Sequence, residues 1–253
     1  MTTLYLIFFF IFGLVFGSFF NVVGSRLPEG KSIIYPPSHC DNCNHNLTPI
    51  ELIPVISYLI QGGKCKKCKK KISIIHPLFE LFCGIMFVLC YLKFGFSIDI
   101  IIPITFISML LIIIVSDINY MIIPDEVLIF FGIALLIEML FIYSFSIVLS
   151  KILNGVIAFI IMLIIKICGD HLFKKESMGG GDIKLLFFFG LVGGLGNALL
   201  SIFFGALIGL PYSLLILKFK KTNIIPFGPF LSLGIIIIIL TGFDINELLL
   251  LLA

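Results

Sequence analysis

Four cysteines and two aspartates are the residues of this chain whose types and spacing suit chemistry. Cys40 and Cys43 stand in CDNC, Cys65 and Cys68 stand in CKKC, and 21 residues separate the two pairs. Two C-x-x-C knuckles at that separation supply four thiolates to one tetrahedral zinc ion, which lets a small polar segment fold without a core. Two disulfides are the other arrangement open to these residues. The lysines around CKKC favour zinc, because basic loops stay in the reducing cytoplasm. His39 and His45 are nearby, but two complete cysteine pairs leave them no ligand position. Asp117 follows a long apolar run and opens DINYMIIPDE; Asp182 opens another such run after three glycines, in MGGGDIKLL. An aspartate pair hydrolyses a peptide bond when one carboxylate is ionised and takes a proton from water, while the other is protonated and polarises the scissile carbonyl.

The elements that must position these groups belong to a bilayer. Of 253 residues 60% are hydrophobic and only 12% charged, and a mean hydropathy of +1.23 excludes a water-soluble globule. A spanning helix takes about 20 mostly apolar residues. The chain offers roughly eight such stretches, so the expectation is an all-α polytopic membrane protein with about eight transmembrane helices and a small zinc-binding cytoplasmic insert. The alternation of a β-barrel is missing. The first apolar stretch, LYLIFFFIFGLVFGSFFNVV, lacks a basic n-region and a small-residue cleavage site, and reads as a permanent helix. Residues 1–24 then form the first helix, 25–76 the proline-punctuated insert, and 77–253 a seven-helix core.

Cations orient the helices. Eight of the 17 Lys and Arg lie between Arg26 and Lys71. With that segment inside, threading the helices in order puts 117–126, 169–183 and 218–226 inside as well. Fifteen of the 17 cations then lie on or near the cytoplasmic side, with Lys93 and Lys151 at the opposite ends of their helices. Both termini face outward. Asp117 closes the third helix and Asp182 opens the sixth, at the same depth, where ionisable groups are costly and functional. The helix dipole favours a carboxylate at a helix start and disfavours one at a helix end. On that argument Asp182 is the base and Asp117 the proton donor. Gly179, Gly180 and Gly181 offer backbone freedom and close approach to a substrate strand. Glu80, just inside the second helix, is either a contact for a substrate or an interfacial helix-start residue; Asn21 and Arg26 bind substrate or anchor the first helix. Cys83, Cys90 and Cys168 read as packing residues. A transporter using Asp117, Asp182 and Glu80 as an ion path is the alternative function, disfavoured because the acids gather at one face.

Taken together these residues resemble the prepilin leader peptidase/N-methyltransferase family, within the GxGD aspartyl proteases. GSFFNVVGSRLP, the double CxxC, DINYMIIPD, MGGGDIKLL and PFGPF are similar to its signatures, and the resemblance covers nearly the whole chain. It implies Asp117 and Asp182 as the catalytic pair, with Asp125, Lys184, Glu80, Gly179 and Gly181 in support. It also implies a multi-pass protein of the bacterial inner (cell) membrane with its active site facing the cytoplasm. Such an enzyme cuts the basic leader from type IV prepilin or pseudopilin precursors after a glycine, then methylates the new amino terminus with S-adenosyl-L-methionine, for which the resemblance points to Gly63 and Lys64, running into Cys65. The partners implied are these precursors and the lipid bilayer, and no nucleic acid.

Overall fold

Apolar runs of this composition satisfy their own backbone groups only as helices, and the computed structural model, which describes residues 2–220, 225–244 and 247, contains helices and no strand among those residues. They are α1 (Thr2–Arg26), α2 (Ile56–Ile60), α3 (Ile75–Phe94), α4 (Ile101–Tyr120), α5 (Asp125–Ile142), α6 (Phe145–Phe173), α7 (Gly180–Gly193), α8 (Leu195–Lys220) and α9 (Gly228–Thr241). Apart from the short α2, the eight long helices follow the eight apolar stretches. Five helical spans, Thr2–Glu29, Ile75–Phe94, Ile98–Tyr120, Phe145–Phe173 and Leu195–Ile216, are long and apolar enough to cross a membrane. Helix α9 is apolar but only 14 residues long, and α5 carries three acids, Asp125, Glu126 and Glu138.

Some boundaries differ from the sequence expectation. The second long helix begins at Ile75, ahead of the boundary expected at 76/77, because Pro77 sits in its first turn, where a missing N–H costs nothing. Helix α6 runs on through Phe173, into the segment 169–183 that the threading left between helices. The basic KFKK step ends at residue 221, outside the described residues.

The chain divides into two compact units, Met1–Phe96 and Ser97–Ala253. The sequence suggests divisions at 24/25 and 76/77; contacts draw one at 96/97, because α3 packs along α1. Aromatic rings line this pair, with Phe9 stacked on Tyr91 at 5.1 Å and Tyr5 on Phe96 at 4.8 Å. In the second unit α4 is the central element, buried over most of its length from Ile102 to Asp117, and it packs against α5, α7 and α9. Helix α7 is bound to α6 through backbone contact: a Cβ on Gly190 would lie 2.6 Å from the Asn154 carbonyl oxygen.

Candidate active site and metal centre

Asp117 lies in the last turn of α4, which ends when Met121 turns left-handed (φ 56°) and donates its N–H to the Asp117 carbonyl at 2.9 Å. Asp182 is the third residue of α7, with Gly179 as its N-cap. Both are buried, at 6% and 7% exposure. The residue between them is Gly228, at the start of α9. Its N–H donates to the Asp117 carboxylate. A Cβ built on it would lie 2.6 Å from Asp117 Oδ2 and 3.4 Å from Asp182 Oδ1, so those two oxygens are at most 6.0 Å apart. Two carboxylates this close, away from water, share a proton because both cannot easily be charged.

The helix-end argument for separate roles does not survive this geometry. Asp117 closes α4, but it also accepts the first N–H of α9, so the N-terminal ends of α7 and α9 both face the pair. The dipoles favour one negative charge on the pair and do not assign it.

The turn linking α4 to α5 ties the two aspartate segments together. Ser116 Oγ donates to the Ile122 carbonyl at 2.5 Å. Ile123 fills the space a side chain at Gly181 would need, 2.9 Å from its Cβ position, and Lys184 Nζ meets Asp125 Oδ1 at 2.6 Å. Gly179, Gly180 and Gly181 are not left-handed. Gly181 is required for space; a Cβ on Gly180 would meet nothing within 4 Å, which leaves that edge open to an approaching strand. The loop before Gly179 is held by Asp170, whose Oδ1 accepts from Ser177 N at 2.6 Å and from Ser177 Oγ at 2.7 Å.

The four cysteines converge in the first unit. Their sulfurs all lie within 4.8 Å of one another, with Cys40 to Cys68 at 3.7 Å and Cys43 to Cys65 at 3.9 Å. A zinc ion with bonds of about 2.3 Å to four thiolates has sulfur–sulfur edges of about 3.8 Å. The two knuckles repeat one backbone pattern: Asn44 N–H to Cys40 O and Lys69 N–H to Cys65 O, both at 2.9 Å, with Asn44 and Lys69 left-handed. Backbone N–H groups lower the thiol of Cys40, chiefly that of Asn42, and the N–H of Lys70 holds Cys68 down at about 6. Cys43 accepts the His45 N–H, but burial and the neighbouring sulfurs push it up to about 11. Four sulfurs at this spacing are compatible with one structural zinc ion. All seven cysteines are free thiols in the structure, so the disulfide alternative is not formed.

Glu80 is committed within the first unit. It accepts the Val55 N–H at 2.7 Å and a hydrogen bond from Ser18, which joins the insert to α1 and α3 at a residue, Val55, with φ of 62°. Asn21 Nδ2 and His76 Nδ1, 2.6 Å apart, form a second link. Arg26 Nη1 donates to the Pro36 carbonyl at 2.7 Å and so folds the insert's first loop. Gly63 (φ 67°) is packed under Tyr58, whose hydroxyl would lie 2.8 Å from a Cβ there; Lys64 is exposed and paired in the backbone with Lys71. Gly63 is explained by the knuckle fold, and the Lys64 side chain is open to solvent.

The structure therefore brings Asp117, Asp182, Gly179, Gly181, Lys184 and Asp125 together in one unit, and the four cysteines with Gly63 and Lys64 in the other. Sequence reasoning gave no role to Gly228, Ser116, Asp170 or Ser177. For Gly228 the signal was PFGPF itself, a glycine ahead of a helix-starting proline.

Residues 11–94 match the Bacterial Peptidase A24 N-terminal domain, and residues 104–214 match the Type IV leader peptidase family. The chain is 36% identical over 236 residues to a prepilin leader peptidase/N-methyltransferase of Bacillus subtilis (strain 168), covering 92% of this chain and 93% of the relative. A protein of the same description from Stutzerimonas stutzeri is 29% identical over 265 residues, covering 93% and 90%. One from Myxococcus xanthus (strain DK1622) is 30% identical over 187 residues, covering 74% and 56%. No solved structure matches the chain. A buried aspartate pair on α4 and α7, a four-cysteine insert and this likeness over nearly the whole length agree: the chain belongs to the prepilin leader peptidase/N-methyltransferase family.

Proposed function

We propose that this protein is an aspartic endopeptidase of the bacterial inner membrane that removes the leader of type IV prepilin or pseudopilin precursors, cutting after a glycine on the cytoplasmic side. The observation that carries the reading is the meeting of Asp117 and Asp182 around Gly228, with their oxygens at most 6.0 Å apart. The ionised member takes a proton from water as the oxygen adds to the scissile carbonyl. The protonated member donates to that carbonyl oxygen and so offsets its developing charge. When the tetrahedral intermediate collapses, the C–N bond breaks and the leaving amine takes a proton from the pair, which returns to its singly protonated state. The two helix N-termini favour one negative charge, and burial disfavours a second.

With eight apolar stretches threaded in order, 15 of the 17 cations fall on or near the cytoplasmic side, and this charge bias supports an inner-face location for the pair. There it meets a precursor whose basic leader stays inside. The insert, residues 25–76, is the part associated with methyl transfer, and zinc on Cys40, Cys43, Cys65 and Cys68 is its structural ion. S-adenosyl-L-methionine would supply the methyl group, with Gly63 and Lys64 the residues that would hold it. That half rests on family membership. Glu80 supports it by holding the insert on α1 and α3.

The deciding experiment is mass spectrometry of a purified prepilin after incubation with the enzyme, with and without S-adenosylmethionine. Asp117→Asn and Asp182→Asn, made singly, should each abolish cleavage while the protein remains folded in membranes. Full cleavage by either variant ends the protease reading.

A further inference from the structure

The insert between α1 and α3 has almost no interior. Of residues 27–74 only Glu51 and Cys65 are buried. Its aliphatic side chains point outward instead. Ile56, Leu59 and Ile60 share one face of α2, and Leu52 and Ile53 lie in the turn ahead of it. Their exposures run from 41% at Ile53 to 76% at Ile60. Soluble surfaces rarely leave such a contiguous apolar stripe to water, so something covers it.

Charge and tethering identify the cover. Lys64, Lys66, Lys67, Lys69, Lys70 and Lys71 follow α2 directly and are all exposed. None of them forms an ion pair among the described residues. They are fastened to the end of α2, since Gly63 donates to the Tyr58 carbonyl at 2.9 Å and Ile72 donates to the Gly63 carbonyl at 2.8 Å. The insert is bounded by Arg26, which ends α1, and Ile75, which starts α3; both of those helices are long and apolar enough to span. An apolar stripe beside a lysine cluster, held at both ends at the edge of a bilayer, has the chemistry of a peripheral membrane segment.

We propose that the insert lies against an anionic lipid leaflet, with Ile56, Leu59 and Ile60 entering the boundary between headgroups and acyl chains. The lysines that follow rest on the anionic headgroups. The ribbon is then a membrane-bound module whose apolar face has lipid, and not protein, as its partner.

The chain contains no tryptophan, so a single substitution creates a unique emitter in the full-length protein. Leu59→Trp and, separately, Ile60→Trp are reconstituted in vesicles of phosphatidylcholine and phosphatidylglycerol, with and without lipids brominated near the top of the acyl chain. Asp41→Trp, in the polar turn of the first knuckle, is the control. The expected result is that bromolipid removes roughly half the emission at positions 59 and 60, that aqueous iodide quenches both poorly, and that the control behaves in the opposite way. Changing Lys66, Lys67, Lys69, Lys70 and Lys71 together to Gln should weaken bromolipid quenching in anionic vesicles. Quenching by iodide and not by bromolipid would put the stripe in water. Shielding from both quenchers would mean that protein covers it. Either result overturns the proposal, as does a five-lysine variant quenched like its parent.

Discussion

Replacing Gly228 by alanine is the sharpest test of the site. The new Cβ would lie 2.6 Å from Asp117 Oδ2, whereas ordinary contact begins at 3.4 Å, so the carboxylate oxygen must retreat by about 0.8 Å or α9 must move by as much. A misplacement of about 1 Å at a reacting group costs on the order of 10²-fold in rate. Stability should hardly suffer, because Gly228 is the first residue of α9 and alanine is the better helix former by up to about 1 kcal/mol. The expected variant is therefore folded, normally abundant in membranes and about 100-fold slower in kcat, with KM for the precursor little changed. The assay is cleavage of a purified prepilin at several concentrations, followed by mass spectrometry, beside a thermal melt of the detergent-solubilised protein. Wild-type kcat in a variant that folds would refute the placement of α9 against Asp117. Gly180→Ala separates open space from a clash: its Cβ would meet nothing within 4 Å, so it should leave the thermal melt unchanged, and any loss of activity there reports on the edge a substrate strand approaches.

Further outcomes follow from the same geometry. Cys40→Ser combined with Cys65→Ser should release bound zinc and render the insert protease-sensitive; unchanged metal content by plasma mass spectrometry would remove the zinc assignment. Lys184→Ala breaks an ion pair whose side chains are 47% and 59% exposed, so it should cost no more than about 1 kcal/mol in stability, measured by thermal melt. Glu51 is held below the usual glutamate range by the N–H and hydroxyl of Thr48. Its stabilising effect is thus present above the ordinary glutamate pKa and lost as pH falls through the depressed one. Glu51→Gln should therefore make the insert easier to proteolyse at neutral pH, with the gap from wild type closing in acid; a gap independent of pH would contradict this.

Hydropathy alone foretold an all-helical membrane protein, since the bilayer leaves the backbone few other options. The cysteines and aspartates were also legible, because their chemistries demand those residue types at set spacings. What stayed hidden depends on contacts between distant segments. Gly228 matters only because α9 begins against the end of α4. The closeness of Ile123 to Gly181 requires the α4 to α5 turn to fold beneath α7. Glu80 could not be aimed without the position of Val55. Even the start of α3 lies ahead of the boundary drawn at 76/77, because a first-turn proline is compatible with a helix.

The brevity of α7 and α9 reaches beyond the site. Each has 14 residues, about 21 Å of helix, against a hydrocarbon layer of about 30 Å. Both start at the aspartate pair, so both stop well before the far side, and Lys151 Nζ, 3.4 Å from the Val192 carbonyl, serves the backbone at the far end of α7. Both are buried, α7 against α4, α6, α8 and α9, and α9 against α4, α7 and α8. Neighbouring helices and not lipid therefore meet their short length, and the aspartate pair is insulated from membrane thickness: turnover in vesicles should hold steady as acyl chains shorten or lengthen.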